Sequence, residues 1–255
     1  MHLRLRQQRS RPLCPFALTC GAGAPLRRLP AALFAAHLLC IPAAHAQLSG
    51  SAGILSNYLY RGVSLSGDKA VPRLSLNYDG AAGWYAGGQV IGGQMGGVPH
   101  RSAQWTGYAG YARRLDSGLS WEAGVSRYAF PQAPSWHFDE VFAGIALDGL
   151  AARLNYSPDY LGLGVRTLYA ECQGSAQLIE GLGGFWHLGY LGSLNAAPGS
   201  AIGRYDLRLG LQTSVSSWRA ELSFNAMRKR RLGAPYYDTG ARSGKDVVLS
   251  LAYSF

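Results

Sequence analysis

The chain has 255 residues, 34 of them glycine and 15 tyrosine, and only 15% are charged; ordinary soluble domains carry roughly 25% charged residues and 7% glycine. Apolar runs long enough for a helical membrane span are absent from most of it, which excludes a helical membrane protein. The net charge of +10 has the sign of a nucleic-acid binder, but six arginines and no acid fall in residues 1–46, leaving 18 basic against 14 acidic side chains. At +4, the remainder gives no reason to expect nucleic acid as a partner.

Residues 27–46 read as a secretion signal: Arg27 and Arg28, an apolar core from Ala31 to Ile41, then the small-x-small pattern Ala44-His45-Ala46. The core is too short to span a bilayer, and cleavage is expected after Ala46. Residues 1–26 form a basic preface, read as an extended leader or as a start codon placed too early. The domain division is therefore 1–46 leader and 47–255 mature chain. His37-Leu38-Leu39 before Cys40 does not suit lipid attachment. Cys172 alone follows residue 47, so no internal disulfide can form, and no Cys/His spacing suits zinc. Neither a metal nor another cofactor is expected, and Cys172, on the apolar parity of its strand, reads as a small hydrophobe.

From Ser49 onward the chain repeats strand, turn, strand, loop. The first strand covers about Gly50 to Arg61. The second sets Leu74, Leu76 and Tyr78 against Arg73, Ser75 and Asn77, and a Gly-rich turn at 79–83 leads to a glycine-laden third strand. A fourth follows at about 103–113. The fifth places Leu119, Trp121, Ala123 and Val125 opposite Ser120, Glu122, Gly124 and Ser126. Asp148-Gly149 is a two-residue hairpin turn between strands six and seven. Strand seven alternates Leu150, Ala152, Leu154 and Tyr156 with Arg153, Asn155 and Ser157. Strands eight and nine, about 165–178 and 182–191, are joined by Glu180-Gly181. Tyr205, Leu207, Leu209 and Leu211 oppose Asp206, Arg208, Gly210 and Gln212 in strand ten, and Trp218 to Ala226 repeats that pattern in strand eleven. A long loop at about 227–243 precedes a twelfth strand, Asp246 to Phe255, whose apolar parity is Val247, Leu249, Leu251, Tyr253 and Phe255. A period of two throughout is the mark of strands with one greasy face.

Twelve strands with strictly alternating short and long connections predict an all-β fold, an antiparallel transmembrane β-barrel of the outer-membrane kind, with both ends of the mature chain on the short-turn side. A secreted sandwich or soluble barrel is the alternative. Aromatics near strand ends (Tyr78, Trp84, Trp121, Tyr156, Tyr205, Trp218 and Tyr253) suit the two interfacial girdles of a membrane barrel. The last strand should pair with Gly50–Arg61, so that no edge faces lipid. Leu251, Tyr253 and Phe255 also have the form of the terminal signal read by the barrel-assembly machinery.

Ser56-Asn57-Tyr58-Leu59-Tyr60-Arg61-Gly62-Val63-Ser64 resembles the opening motif of the TorF-type porin family of Gram-negative bacteria. Gly83-Trp84-Tyr85-Ala86-Gly87, Glu140-Val141-Phe142-Ala143-Gly144, Tyr156-Ser157-Pro158-Asp159-Tyr160 and Thr167-Leu168-Tyr169-Ala170-Glu171 resemble later segments, in order, over nearly the whole mature chain. The resemblance implies an outer-membrane barrel with a porin role and no catalytic residues. The basic run Arg228, Lys229, Arg230 and Arg231 departs from it and is expected in an outer loop, where lipopolysaccharide phosphates are the candidate partner.

Twelve strands should enclose a narrow lumen, partly plugged. Its candidate lining is Arg73, Glu122, Glu140, Arg153, Glu171, Asp206, Arg208, Arg219 and Glu221, with two expectations: they select small solutes or ions by charge, or they pair across the lumen and stiffen the wall. The rival class is an outer-membrane lipid-modifying enzyme, which needs a serine beside a histidine. Nothing in the sequence places a serine beside His100, His137 or His187, so no enzyme activity is expected. The third reading is a structural or surface protein with a closed lumen.

Overall fold

A computed structural model describes residues 47–93, 102–195, 203–229 and 244–255. The strands are β1 (Gln47–Leu55), the very short β2 (Leu59–Tyr60) and β3 (Val63–Ser64), β4 (Val71–Asp79), β5 (Trp84–Gly93), β6 (Ser102–Arg114) and β7 (Ser120–Ala129). Then come β8 (Phe138–Leu147), β9 (Leu150–Ser157), β10 (Thr167–Ile179), β11 (Leu182–Ser193), β12 (Gly203–Val215), β13 (Trp218–Lys229) and β14 (Gly244–Ser254). All but β2 and β3 form one closed antiparallel barrel, each strand paired with its neighbours in the chain and β1 with β14. Closure excludes the sandwich. The leader and the cleavage point after Ala46 lie outside the described residues.

The period-2 pattern sorts side chains as expected. Leu74, Leu76, Val125, Val141, Leu154, Leu222, Val247 and Leu249 project outward and are exposed. In water so continuous an apolar skin would be a liability; against hydrocarbon it is the stable arrangement. Tyr78, Trp84, Trp121, Trp218 and Tyr253 ring the short-turn end, and Trp218 packs edge-on against Tyr253 at 5.2 Å. Tyr190 and Tyr205, 4.6 Å apart, sit near the long-loop end. Cys172 faces outward between Ala152 and Leu188 of the adjoining strands. Among the described residues, no helix is long and apolar enough to cross a membrane.

The seam joins Ser51 to Ser254 and continues to Leu55 opposite Ser250. Phe255 extends it by one more pair: its N–H donates to the Gly50 carbonyl (3.0 Å) and its carbonyl accepts from the Gly50 N–H (2.9 Å). The Phe255 ring occupies the place of a side chain on Gly50, where a Cβ would lie 2.5 Å from the ring edge. Glycine is required there by close approach.

Two expectations are corrected. The first strand ends at Leu55 rather than Arg61, because residues 57–70 leave the wall and carry β2 and β3. Arg228 and Lys229 belong to β13, paired with Tyr205 and Arg204, rather than to an outer loop; Arg230 and Arg231 lie outside the described residues.

Gly50→Val is expected to displace the Phe255 ring and lower barrel stability by about 1–3 kcal/mol, the usual cost of overpacking. Unfolding of the detergent-solubilised barrel, followed by its heat-dependent mobility on gels, measures it.

Candidate functional site: the lumen and its inserted hairpin

After Leu55 the chain holds β14 for one more residue, the Ser56 N–H donating to the Leu249 carbonyl at 2.8 Å. It then turns inward. The Asn57 carboxamide oxygen accepts from the hydroxyls of Ser64 and Ser66, both at 2.8 Å, and its NH2 donates to Asp68 at 2.9 Å. The Tyr58 N–H donates to Ser66 Oγ and its carbonyl accepts from the Leu65 N–H, both at 2.9 Å. These bonds tie the two arms of the β2–β3 hairpin before its tip.

The tip is Arg61-Gly62, with φ of 48° and 76°. Two consecutive left-handed residues make the two-residue turn that matches strand twist. Gly62 has a second reason: a Cβ would fall 2.8 Å from Met227 Cβ and 2.9 Å from Asp206 Cβ, so the tip abuts β12 and β13. Arg61 is a non-glycine residue in a region that costs about 1–2 kcal/mol, which its partners must outweigh. It donates to both Glu140 oxygens on β8, Nη1 at 2.8 Å and Nη2 at 2.7 Å. Its guanidinium also lies 4.1 Å from the ring centre of Tyr169 on β10. The hairpin, rooted between β1 and β4, thus reaches the opposite wall.

Aromatic packing fills the space around it. Tyr60 meets Tyr128 edge-on at 5.5 Å, Tyr128 stacks on Phe138 at 4.5 Å, and Phe138 meets Tyr160 at 5.1 Å. Burial pushes the phenols of Tyr58 and Tyr60 well up from their ordinary value, so both stay neutral. Leu191 and Phe130 join this cluster, and Leu161, Leu163 and Val165 cover it from the loop. The loop-end half of the lumen is a packed core.

The sequence-predicted lumen residues divide accordingly. All nine sit on the inward parity, but Glu140 is fully buried against Arg61 and so does not line open lumen. Glu122 is buried too, accepting from the Tyr85 hydroxyl at 2.7 Å and from Arg153 Nε at 2.8 Å. Below the hairpin, towards the short turns, lies a cavity of about 670 Å³ lined by Arg73, Arg153, Glu171, Asp206, Arg208, Arg219 and Glu221. Arg208 reaches Glu221 at 3.3 Å, and Arg219 reaches the same carboxylate at 4.0 Å. Asn155 donates to Glu171 at 3.1 Å.

His187 Nε2 lies 2.9 Å from the Tyr169 hydroxyl and 3.1 Å from Asp206. His137 Nε2 lies 3.0 Å from the Phe130 carbonyl. The hydrogen bonds of these two histidines thus go to a backbone carbonyl, a phenol and a carboxylate, and His100 lies outside the described residues. No three His, Cys, Asp or Glu side chains among the described residues come together as a metal site. What sequence reasoning missed is the hairpin and its residues Asn57, Tyr58, Tyr60 and Arg61. The one available signal was an arginine followed by glycine inside an aromatic run.

A family model described as "Bacterial protein of unknown function (Gcw_chp)" matches residues 41–247. The chain belongs to that family. No curated protein matches it by sequence. Among solved structures it is similar to the KdgM porin, with a TM-score of 0.52 and 15% identity over 81% of this chain and 99% of that one. It is similar also to the NanC porin, with a TM-score of 0.51 and 11% identity over 82% and 99% of the two chains. At such identities the likeness is one of fold: this member of the family shares the barrel of those porins.

Arg61→Ala strands the Glu140 carboxylate in a packed interior, which typically costs about 3–5 kcal/mol. The hairpin is expected to undock and its segment 56–68 to become open to protease in the folded barrel. The double variant Arg61→Met/Glu140→Gln, which leaves no buried charge, should resist cleavage far better. Timed proteolysis of wild type and both variants reads the difference.

Proposed function

We propose that the chain is an outer-membrane channel of Gram-negative bacteria, passing small solutes or ions passively through a charged lumen that the inserted hairpin narrows. The observation that carries this reading is a charge-lined cavity inside a closed barrel with an apolar skin. The shared fold with the KdgM and NanC porins and the resemblance of the hairpin motif to the TorF-type porin family support it. On this reading the leader directs export, cleavage follows Ala46, membrane lipids cover the outer face, and the barrel-assembly machinery reads the strand carrying Leu251, Tyr253 and Phe255. Lipopolysaccharide phosphates are the partner of choice for Arg228, on the outward parity at the loop end of β13, and, by sequence, for Arg230 and Arg231, whereas Lys229 shares the inward parity with Arg204. The chemistry is transport, with no bond made or broken.

One observation favours a second reading, a closed barrel with a structural role: the loop-end half of the lumen is filled by the aromatic cluster around Tyr60 and Phe138. Conductance separates the two. In planar bilayers the wild type is expected to give small discrete steps, and a variant with residues 59–64 replaced by two glycines should give larger ones. Arg208→Ala or Arg219→Ala should shift the ion preference towards cations. Silence from both wild type and hairpin variant would leave the closed barrel standing.

Deletion of Phe255 removes two seam hydrogen bonds and the ring on Gly50. Outer-membrane levels of this truncation are expected to fall while export across the inner membrane persists; unchanged levels would refute the assembly role.

A further inference from the structure

The arginines of the cavity are not evenly matched. Arg61 is taken by Glu140 and Arg153 by Glu122. Arg208 and Arg219 share the single carboxylate of Glu221, and Arg73 has no hydrogen bond or ion pair among the described residues. Among these four groups, three guanidiniums against one carboxylate leave an excess of two positive charges, and the nearby Asp206 on β12 is already engaged by Tyr169 and His187. Arg208 also keeps its buried Nε without a hydrogen-bond partner, while Phe185 supports the guanidinium plane with its ring centre 5.1 Å away.

Strand register gives the arrangement its shape. Arg73 pairs with Gly53, Gly53 with Ala252, and Ala252 with Arg219. The two arginines therefore stand on one inward row, three strand spacings or about 14 Å apart along the wall, with nothing larger than a methyl between them. That floor is held bare: a Cβ on Gly53 would lie 2.5 Å from the Leu251 carbonyl oxygen. Guanidinium groups present planar forks that match carboxylates in two-point contacts.

We propose that Arg73, Arg208 and Arg219 form a binding site for a small organic dianion, a dicarboxylate, inside the lumen. Two negative charges neutralise the local excess, and the bare Gly53–Ala252 floor leaves room for a short carbon chain between the forks. Gln89 and Gln212 line the same cavity and offer amide donors. Asp206, two positions from Arg208 on β12, and Glu171 on β10, both beside His187, repel an anion from the loop-end side of Arg208, which directs it towards Arg73 and Arg219. Glu221 is the resident competitor for Arg208 and Arg219. As a selectivity site for transport this rests on the channel reading; as a binding site it is measurable without it.

The test is calorimetric titration of the purified, folded barrel at low salt with succinate, and with uncharged succinamide as control. Wild type is expected to bind succinate and not succinamide. Arg73→Gln and Arg219→Gln should each weaken binding about tenfold or more, the ordinary worth of a charge-assisted contact, and the lysine variants should recover part of it. Glu221→Gln should tighten binding, because it frees two arginines; a merely structural role for Glu221 predicts no gain. Heat-dependent gel mobility verifies that each variant is folded. Failure of wild type to bind succinate, equal binding of succinamide, or indifference to both Arg73→Gln and Arg219→Gln overturns the proposal. Bilayer recordings on the same preparations keep the two readings apart. Binding without conductance upholds the site and sinks the channel, whereas conductance without binding sinks the site alone.

Discussion

The constraint on which everything else depends is that the sheet has no free edge. A strand edge in hydrocarbon leaves each N–H and C=O unsatisfied at several kcal/mol apiece. A chain whose outward parity is this apolar therefore has to pair its first strand with its last. The seam of β1 and β14 does so, and its final hydrogen-bond pair is made by the terminal residue itself, Phe255, on Gly50. Closure also fixes what is inside. Once the ring of strands is complete, every residue of the polar parity shares one enclosed space, and its charges must find partners there or be reached by water.

The inserted hairpin settles that question for the loop-end half. A buried arginine and a buried carboxylate each carry a desolvation penalty of several kcal/mol, offset only by good mutual geometry and further contacts. Arg61 and Glu140 have the two-point geometry, and the Tyr169 ring supplies the further contact. The pair is a specificity device as well as an attraction. Without Arg61 the aromatic wall could still collapse, but nothing would fix the hairpin tip against β8 rather than elsewhere, and the left-handed backbone at Arg61 would have no compensation.

Much of the barrel was legible in the sequence because period-2 alternation is a local signal. Leu207, Leu209 and Leu211 against Asp206, Arg208 and Gln212 fix one strand's facing without reference to any other residue. The same signal failed at residues 56–61. Tyr58, Leu59 and Tyr60 continue the β-prone composition of the first strand, and the chain leaves the wall without a proline or an Asn-Gly turn to mark it. The hairpin turns on Arg61-Gly62, and the residue that holds it, Glu140, is 79 positions away. Inward facing was readable for Glu140. That it is sealed rather than open to the lumen depends on that distant partner, which no local pattern encodes. β13 was shortened for the opposite reason: Arg228 and Lys229 look like a solvated run, yet backbone pairing with β12 carries them as strand.

The distribution of charge between the two halves then follows from dielectric cost. Where an acid is buried among the described residues it has a cationic or hydrogen-bonding partner: Glu140 in the packed half has Arg61, Glu122 nearer the short turns has Arg153 and Tyr85, and Asp206 at the cavity has Tyr169 and His187. A buried carboxylate without such a partner would be too costly to keep. Excess charge persists most cheaply where water or a ligand can reach it, and Arg73 and the shared pair Arg208 and Arg219 are in the cavity below. The plug and the charged vestibule are thus two outcomes of one rule. The hairpin removes water from one half, where Glu140 is held by Arg61 and Arg204 donates to the Tyr160 hydroxyl, and the half it leaves wet is the one that can hold a net positive wall facing whatever enters from the short-turn side.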